Sequence, residues 1–241
     1  MVPEDRFGDV SVWKDPALVE AFVNEMYRGL NHGLRELMLG SLADESQFIH
    51  NYGSAQVVQS NLTSADVGSF SRGDFDEFNW TVLYARIRQI NLFLENIEKV
   101  PFVDENWRDR LTGEVHFLNA YFYHNLVRLY GGVPLVTKVY GLQDDFLIAR
   151  SSLDESIQYI VDECDLAASL LPLSYGGGSS DIGRATKGAA LALKSRILLY
   201  AASELYNNSA WAGGYANPEL ISSTGNRTAK WQAAKDAAKA V

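Results

Sequence analysis

Residues 40–75 hold the side chains of this sequence that are best suited to bind a polar ligand. The stretch keeps neither a helical nor a strand period, and a long irregular segment inside a domain is usually functional. It mixes rings with amides and carboxylates: Asp44, Phe48, Asn51, Tyr52, Gln56, Asn61 and Phe70. A sugar has apolar faces bordered by hydroxyl groups, which flat rings and planar polar side chains complement. The candidate ligand contacts are Asp44, Phe48, Asn51 and Tyr52. The alternative is a surface loop packed by its own rings.

The search for catalytic motifs is negative. The sequence contains no nucleophile elbow, zinc-protease motif, Walker loop or dinucleotide-binding loop. His116 and His124 fall eight residues apart, too far for an i, i+4 metal pair. The single cysteine, Cys164, lies on an apolar helical stripe, which indicates a buried thiol. We therefore expect no catalytic residue, no metal site and no cofactor.

Neighbouring carboxylates at 44–45, 74–77 and 144–145 could suggest the acid and base of a glycosidase. That chemistry depends on the distance between two carboxyl groups across a bond, which adjacency in sequence does not set. Asp74 and Glu77 match a capping box, so a role at a helix N-terminus explains them better.

Helical periodicity runs through most of the chain and predicts the elements that would position a site. Long helices are expected over about 16–32, after the capping box at 74–77 as far as Pro101, and over about 105–130, 153–171, 184–206 and 228–241. The expected N-caps are Asp15, Asp104, Ser152 and Thr228. Apolar stripes predict which faces are buried. The 105–130 helix has two (Trp107, Leu111, Val115, Leu118, Phe122, Leu126 and Leu129; Ala120, Tyr123, Val127 and Tyr130), as expected for a helix between neighbours, and the 153–171 helix has one (Leu153, Ile157, Ile160, Cys164, Ala168 and Leu171).

Small residues form one face of the 184–206 helix (Ala185, Ala189, Ala192, Ser195, Ala202), which suggests a close helix–helix approach, and Leu191, Leu198 and Leu205 lie on its other side. The last helix carries Trp231, Lys235, Ala238 and Val241 on one face.

These helices form a quasi-repeat. Helix pairs begin near residues 76, 151 and 228, so the spacing is 75 to 77 residues. Repeated helix pairs indicate a solenoid, and this spacing is about twice the ~34 residues of a tetratricopeptide (TPR) repeat. The predicted fold is all-α: a TPR-like repeat of paired long antiparallel helices, with the irregular loop near residues 40–75. The third pair has only its first helix, so residues 1–241 are expected to be one N-terminal helical domain, truncated at its C-terminus, in which 76–241 form the pairs.

Charge limits the classes of partner. Lys and Arg number 21 and Asp and Glu 30, which gives a net charge of −9. A general nucleic-acid or anionic-membrane binder needs a cationic surface, so this balance argues against both. No apolar run approaches the ~18–20 residues that a membrane helix requires.

Several segments resemble the SusD/RagB family, in the same order along the chain. The most specific are GEVHFLNAYFY at 113–123 and LVRLYGGVPLV at 126–136. RSSLDE at 150–155, LLP at 170–172 and GRATKGAALAL at 183–193 follow. The opening residues Trp13, Glu20 and Tyr27 also fit, as does the spacing of Trp80, Tyr84, Ile87 and Asn91. The resemblance covers nearly the whole chain and is clearest over about 10–205.

This resemblance implies a function that the residue patterns alone do not supply. Family members are non-catalytic lipoproteins of the outer membrane that capture oligosaccharides, or in some members peptides, for a TonB-dependent SusC-like transporter. Their TPR-like helix pairs form a scaffold that also faces the transporter, and their ligand site is built mainly from loops. The chain would then be the N-terminal, TPR-bearing part of a surface-exposed, lipid-anchored protein. The signal peptide and lipobox cysteine are absent from this sequence.

One position departs from the family pattern, because Asn119 stands where the motif has Arg, which alters a local ion pair. Two other functions stay open. A TPR-like scaffold that binds only proteins would show the same helix pairs, and a helical glycoside hydrolase would need a placed carboxylate pair that the sequence does not show.

Overall fold

The structure is a computed structural model that describes residues 9–30, 40, 45–47, 49, 80–207 and 209–241. These residues form helices, turns and irregular connections, and none of them lies in a strand. The α-helices are α1 (Asp9–Val12), α2 (Pro16–Tyr27), α3 (Trp80–Asn96), α4 (Glu105–Tyr130), α5 (Leu153–Leu170), α6 (Lys187–Ala202), α7 (Glu204–Asn207), α8 (Ser209–Ala212) and α9 (Arg227–Lys239). Short 3-10 helices cover Ile97–Lys99 and Pro218–Leu220. The predicted all-α class is confirmed.

The chain divides into two compact units, Met1–Tyr27 with Ile87–Val241, and Arg28–Arg86. In the larger unit α5 packs between α4 and α6, and α9 packs on the other side of α6. Helix α2 packs on α4. In the smaller unit the rings of Trp80 and Tyr84, one turn apart on α3, lie 4.9 Å apart between centroids.

Helix α4 forms as the sequence predicts. Asp104 caps it by accepting a hydrogen bond from the Asn106 backbone N–H at 2.9 Å. Both of its predicted stripes are buried through the middle of the helix, because neighbours cover it on two sides: Leu111, Val115, Leu118, Ala120, Phe122, Tyr123, Leu126 and Val127. Both ends of the helix emerge: residues 105–110 are exposed or half-buried, and Leu129 and Tyr130 are exposed in the last turn.

Helix α5 begins with the predicted capping box. The Ser152 backbone N–H donates to Glu155 Oε2 at 2.8 Å, and the Glu155 backbone N–H donates to Ser152 Oγ at 3.2 Å. Its predicted stripe is buried throughout: Leu153, Ile157, Ile160, Cys164, Ala168 and Leu171. Burial raises the pKa of the Cys164 thiol to about 12, in accord with the buried thiol that its position predicts.

Two glycines turn the chain out of α4. Gly131 has φ of 76°, in the left-handed region that glycine adopts without a steric penalty. The Gly132 backbone N–H donates to Leu220 O at 2.6 Å, and a Cβ atom on Gly132 would lie 2.2 Å from Ser151 O. Three backbone segments therefore meet at this corner, with no room for a side chain on Gly132.

Sequence predictions about these helices are wrong in several details. Helix α2 ends at Tyr27, not near residue 32, and the 184–206 helix is broken at Ser203. The predicted small face is buried only in part: Ala185 and Ala202 are buried, but Ala189, Ala192 and Ser195 are not. The main buried stripe of α6 is Ala190, Leu193, Ile197 and Ala201. The last helix is capped by Asn226 rather than Thr228, since Asn226 Oδ1 accepts from the Thr228 and Ala229 backbone N–H groups. It buries Ala234 and Ala237, whereas the predicted face with Trp231 is exposed.

Candidate functional site

A cleft of about 960 Å³ lies in the larger unit, between α2, the first turns of α4 and the segment 169–184. Helix α2 contributes Ala17, Glu20, Ala21 and Asn24, which follow the i, i+3, i+4, i+7 spacing of one helical face. Helix α4 contributes polar residues and one large ring, Trp107. The segment after α5 contributes Tyr175, Asp181 and Arg184. The volume falls within the range of small-molecule sites.

Two arginines and two glutamates form a closed ring of ion pairs beside the cleft. Arg110 donates to Glu20 Oε1 at 2.7 Å and to Glu114 Oε1 at 2.7 Å. Arg184 donates to the same Glu20 Oε1 at 2.8 Å and to Glu114 Oε2 at 2.9 Å. Each guanidinium group therefore bridges two carboxylates, a geometry that its planar fork of donors allows.

Asp181 completes this network from the cleft side. Its Oδ1 atom accepts from Arg184 Nε at 2.8 Å and lies 3.7 Å from Arg110 Nη1. The turn from Asp181 to Arg184 is closed by a hydrogen bond from the Arg184 backbone N–H to Asp181 O at 3.1 Å. Thr186 then caps α6 by accepting from the Ala189 backbone N–H at 3.3 Å. Arg184 is thus fixed by the turn that starts α6.

The network is buried at one end and open at the other. The Glu114 side chain is fully buried, while those of Glu20 and Asp181 keep 23% and 30% of their surface. Burial raises the pKa of Glu114, against the opposing effect of the two arginines. Burial would lower the pKa of Arg110, but its hydrogen bonds and charge interactions with Glu20 and Glu114 outweigh that effect and raise it. Arg110 therefore stays charged at any physiological pH.

Two tyrosines connect the network to α6. The Tyr27 hydroxyl accepts from the Ala185 backbone N–H at 3.0 Å, and Tyr175 donates to Ala185 O at 2.9 Å. Burial and the charge of Glu114 raise the pKa of both phenols, that of Tyr175 to about 12, so both rings stay neutral. The Tyr175 ring lines the cleft.

Trp107 and Asn24 both line the cleft. Trp107 packs edge-on against Phe102, with ring centroids 5.4 Å apart. Its indole nitrogen is buried and has no hydrogen-bond partner among the described residues, so the ring offers apolar surface rather than a donor. Asn24 is exposed, and its amide forms no hydrogen bond with the described part of the chain. The cleft thus combines rings with planar polar groups.

A second polar cluster joins α4 to α5 at the position where the sequence departs from the family motif. Glu163 Oε2 accepts from Asn119 Nδ2 at 3.0 Å and lies 2.8 Å from His116 Nδ1. Asn119 Nδ2 also lies 2.9 Å from the Tyr159 hydroxyl. An amide and an imidazole therefore surround the Glu163 carboxylate where the family motif would place Arg. Burial and the charge of Glu163 raise the pKa of Tyr159.

His124 is the buried histidine of α4. Its ring packs edge-on against Tyr200 of α6, with centroids 5.7 Å apart, and its Nδ1 atom has no hydrogen-bond partner among the described residues. Burial, followed by the charges of Arg128 and Arg196, lowers its pKa to about 4. Asn91 of α3 donates from its amide to Val136 O, in the connector after α4, at 2.9 Å.

The four ligand contacts predicted from the sequence, Asp44, Phe48, Asn51 and Tyr52, lie outside the described residues. Sequence reasoning missed that Arg184 joins Glu20, Arg110 and Glu114 in one network. One signal of an ion pair was present in the sequence. Arg110 and Glu114 are four residues apart, and Glu114 lies on a helix that is itself apolar on two faces. Within the described part of the chain, no group of three His, Cys, Asp or Glu residues could hold a metal ion.

The chain matches a family model of SusD-like proteins, described as "Starch-binding associating with outer membrane", over residues 6–199. That match covers most of the sequence. The chain belongs to the SusD-like family. The family is one of carbohydrate-binding proteins associated with the outer membrane.

Individual relatives agree with this assignment. The SusD-like protein P38 of Formosa agariphila is 31% identical over 122 residues, which make up 50% of this chain and 22% of the relative. The crystal structure of a SusD-like protein from Bacteroides fragilis is 36% identical, with a TM-score of 0.63, over 84% of this chain and 38% of that one. A laminarin-binding SusD-like protein shares the fold at 22% identity, with a TM-score of 0.61, over 79% of this chain and 41% of that one.

These likenesses confirm the TPR-like helical fold. The matched part of the chain spans about a fifth of the length of the curated relative and about two fifths of the length of the solved structures. Among the described helices, none combines the length and the apolar character needed to cross a bilayer.

Proposed function

We propose that this SusD-like chain is part of a non-catalytic glycan-binding component of an outer-membrane uptake system. The protein would capture oligosaccharides at the cell surface, held there by a lipid anchor, and pass them to a TonB-dependent SusC-like transporter. The observation that carries this proposal is the family match over residues 6–199, whose description names starch binding and association with the outer membrane. The laminarin-binding neighbour, which has the same fold, adds support for an oligosaccharide as the class of ligand.

Within this proposal, residues 1–241 form the N-terminal helical domain, and the helix pairs from about residue 76 onward serve as its scaffold. The irregular stretch around residues 40–75 supplies ligand contacts through Asp44, Phe48, Asn51 and Tyr52. The composition of that stretch supports the assignment, because rings and planar polar groups suit a sugar.

Calorimetry on the protein in the full length that its gene encodes tests the contacts. The Tyr52→Ala variant should weaken binding of the preferred oligosaccharide at least tenfold, since a stacked ring is lost. Tyr215→Ala is the matched control, because Tyr215 is an exposed tyrosine of the scaffold, with 60% of its surface accessible. Equal affinities for the wild type and Tyr52→Ala would overturn the assignment of this residue.

The partner and the absence of catalysis need separate tests. Affinity purification of the tagged protein from detergent-solubilised outer membranes should recover a TonB-dependent transporter. A reducing-sugar assay on the bound glycan should show no release of new reducing ends over hours. Release of product would instead favour the helical glycoside hydrolase.

A protein-binding scaffold is the second candidate, and one surface of the scaffold favours it. The connector between α4 and α5 exposes three large apolar side chains: Leu142 at 95%, Phe146 at 59% and Leu147 at 92%. Asp144 and Asp145 hold this loop in one shape by accepting from the Gly141 and Leu147 backbone N–H groups at 2.7 and 2.8 Å. Recovery of a soluble partner, with no transporter and no glycan binding, would support this alternative.

A further inference from the structure

We propose that the cleft between α2, α4 and the 169–184 segment is itself a carbohydrate subsite, selective for uncharged or amino-bearing sugars over anionic ones. The inference rests on the proposed glycan-binding function and assigns a place and a ligand class to it within the described residues. Three features of the cleft support this inference: groups with unused hydrogen-bond donors or acceptors, ring surface and negative charge.

The first feature is a set of fixed donors and acceptors at the open end of the ion-pair network. Arg110 has five N–H donors, of which its bonds to Glu20 and Glu114 use two. Both bonds of Glu20 are to its Oε1 atom, and its Oε2 atom accepts no hydrogen bond from the described residues. A donor and an acceptor thus lie side by side on groups that keep 15% and 23% of their side-chain surface. Adjacent hydroxyl groups of a sugar, which both donate and accept, suit this pair.

The network also fixes these groups in place before a ligand binds. Glu20, Arg110 and Arg184 hold one another through hydrogen bonds of 2.7–2.8 Å, so little side-chain freedom remains to be lost. Ordering a rotamer-rich side chain on binding costs conformational entropy, which weakens affinity. A preorganised floor therefore favours binding of a weakly interacting neutral ligand.

The second feature is apolar ring surface at the cleft walls. Trp107 and Tyr175 both line the cleft, and the hydroxyl of Tyr175 already donates to Ala185 O. The buried indole nitrogen of Trp107 leaves the ring as its contribution to the wall. The apolar face of a pyranose ring packs on such surfaces, while Asn24, which also lines the cleft, offers an amide for a hydroxyl group.

The third feature is charge, which sets the selectivity. Four carboxylates line the cleft (Glu20, Asp104, Asp109 and Asp181) against two guanidinium groups (Arg110 and Arg184). The buried carboxylate of Glu114 already pairs with both arginines. A sulfate or uronate group would meet no uncompensated cation among these lining residues, and like charges repel it. An uncharged sugar avoids this cost, and an amino sugar is attracted.

The test uses a variant that fills the cleft from an exposed helix position. Ala21→Trp places a large ring into the cleft from α2, whereas Ala192→Trp places the same ring at an exposed position on α6. Both are made in the full-length protein, and binding is measured by calorimetry. The probes are maltohexaose, laminarihexaose, a chitosan hexamer and a galacturonate hexamer.

We expect the wild type to bind at least one of the three uncharged or amino-bearing hexamers and to bind galacturonate at least tenfold more weakly. Ala21→Trp should raise the Kd of the bound hexamer at least tenfold, and Asn24→Ala should raise it about threefold, with Ala192→Trp unchanged. If the wild type binds an oligosaccharide but Ala21→Trp and Asn24→Ala bind it equally well, the cleft inference fails and the proposed function stands. Preference for galacturonate also overturns the inference, and absence of binding by the wild type to every probe overturns both.

Discussion

Arg184 Nη1 lies 2.9 Å from Glu114 Oε2, although the two residues are 70 positions apart. The contact joins the turn before α6 to the middle of α4, and the Glu114 side chain is fully buried. A buried charge is tolerated when it is paired and hydrogen-bonded, as Glu114 is by two arginines. The network is therefore a structural tie between helices as well as the floor of the cleft.

The first prediction concerns this carboxylate. Glu114→Ala should lower the free energy of unfolding by about 3–5 kcal/mol, because it leaves two partly buried arginines without their partner. Urea denaturation followed by circular dichroism measures the change. Asp109→Asn is the control, since Asp109 pairs with Arg108 at 3.2 Å near the surface and should contribute less than about 1 kcal/mol. Equal effects of the two substitutions would contradict the structural role of the network.

The second prediction concerns the corner after α4. A Cβ atom at Gly132 would lie 2.2 Å from Ser151 O and 2.9 Å from Leu153 N, both of which are backbone atoms that cannot rotate away. Gly132→Ala should therefore destabilise the protein by about 3 kcal/mol.

A matched glycine is available for comparison. A Cβ atom at Gly177 would meet nothing within 4 Å, so Gly177→Ala should be neutral or stabilise the protein by up to about 1 kcal/mol. Thermal unfolding of the two variants in parallel checks both values. A Gly132→Ala protein with the melting temperature of the wild type would contradict the close approach of the backbone to Gly132 at this corner.

The third prediction concerns acid stability and His124. Its pKa is lowered from 6.5 to about 4, so between these values the unfolded chain binds a proton that the folded chain does not. The contribution of His124 to stability is complete above pH 6.5, falls as the pH drops from 6.5 to 4 and then levels off. The total loss is about 3 kcal/mol.

Comparison with His124→Phe isolates this effect, because a phenyl ring keeps the edge-on packing against Tyr200 but cannot be protonated. The unfolding free energy of the variant minus that of the wild type should increase by about 3 kcal/mol when the pH is lowered from 7 to 4. Denaturant titrations at closely spaced pH values give the two profiles. Parallel profiles would mean that the imidazole is not buried in its neutral form.

The fourth prediction concerns the start of α5. Ser152→Ala removes the acceptor for the Glu155 backbone N–H and should cost about 1 kcal/mol. Ser169→Ala, at an exposed position near the other end of the same helix, should change the stability by less than about 0.5 kcal/mol. Chemical denaturation of both variants distinguishes the loss of the N-cap hydrogen bond from a general effect of losing a serine.

The long amphipathic helices could be predicted well from the sequence. The stripes of α4 and α5 are buried as predicted, and Asp104 and Ser152 cap these helices, because capping and periodicity are local signals. Helix α6 is apolar around most of its circumference, so its periodicity could not tell which stripe faces α5 and α9. In the last helix, too, the packing partner decides which side chains are buried. Its contact with α6 buries Ala234 and Ala237 instead of the larger Trp231.

The cleft could not be predicted, because its parts are far apart in the sequence. Glu20, Arg110 and Arg184 come from three segments: α2, α4 and the turn before α6. Only the tertiary packing of all three brings them together. A local pattern hinted at the pair of Arg110 and Glu114, but nothing in the sequence indicated that Arg184 pairs with the same carboxylate. The predicted contacts at Asp44, Phe48, Asn51 and Tyr52 stay predictions.

The central claim is that the protein binds glycans without cleaving them. The most direct test is calorimetry of the full-length protein against purified neutral oligosaccharides, followed by chromatography of the same sample. The account predicts saturable binding of at least one oligosaccharide, which is then recovered intact. The absence of binding to any oligosaccharide, or recovery of shortened products, would contradict it.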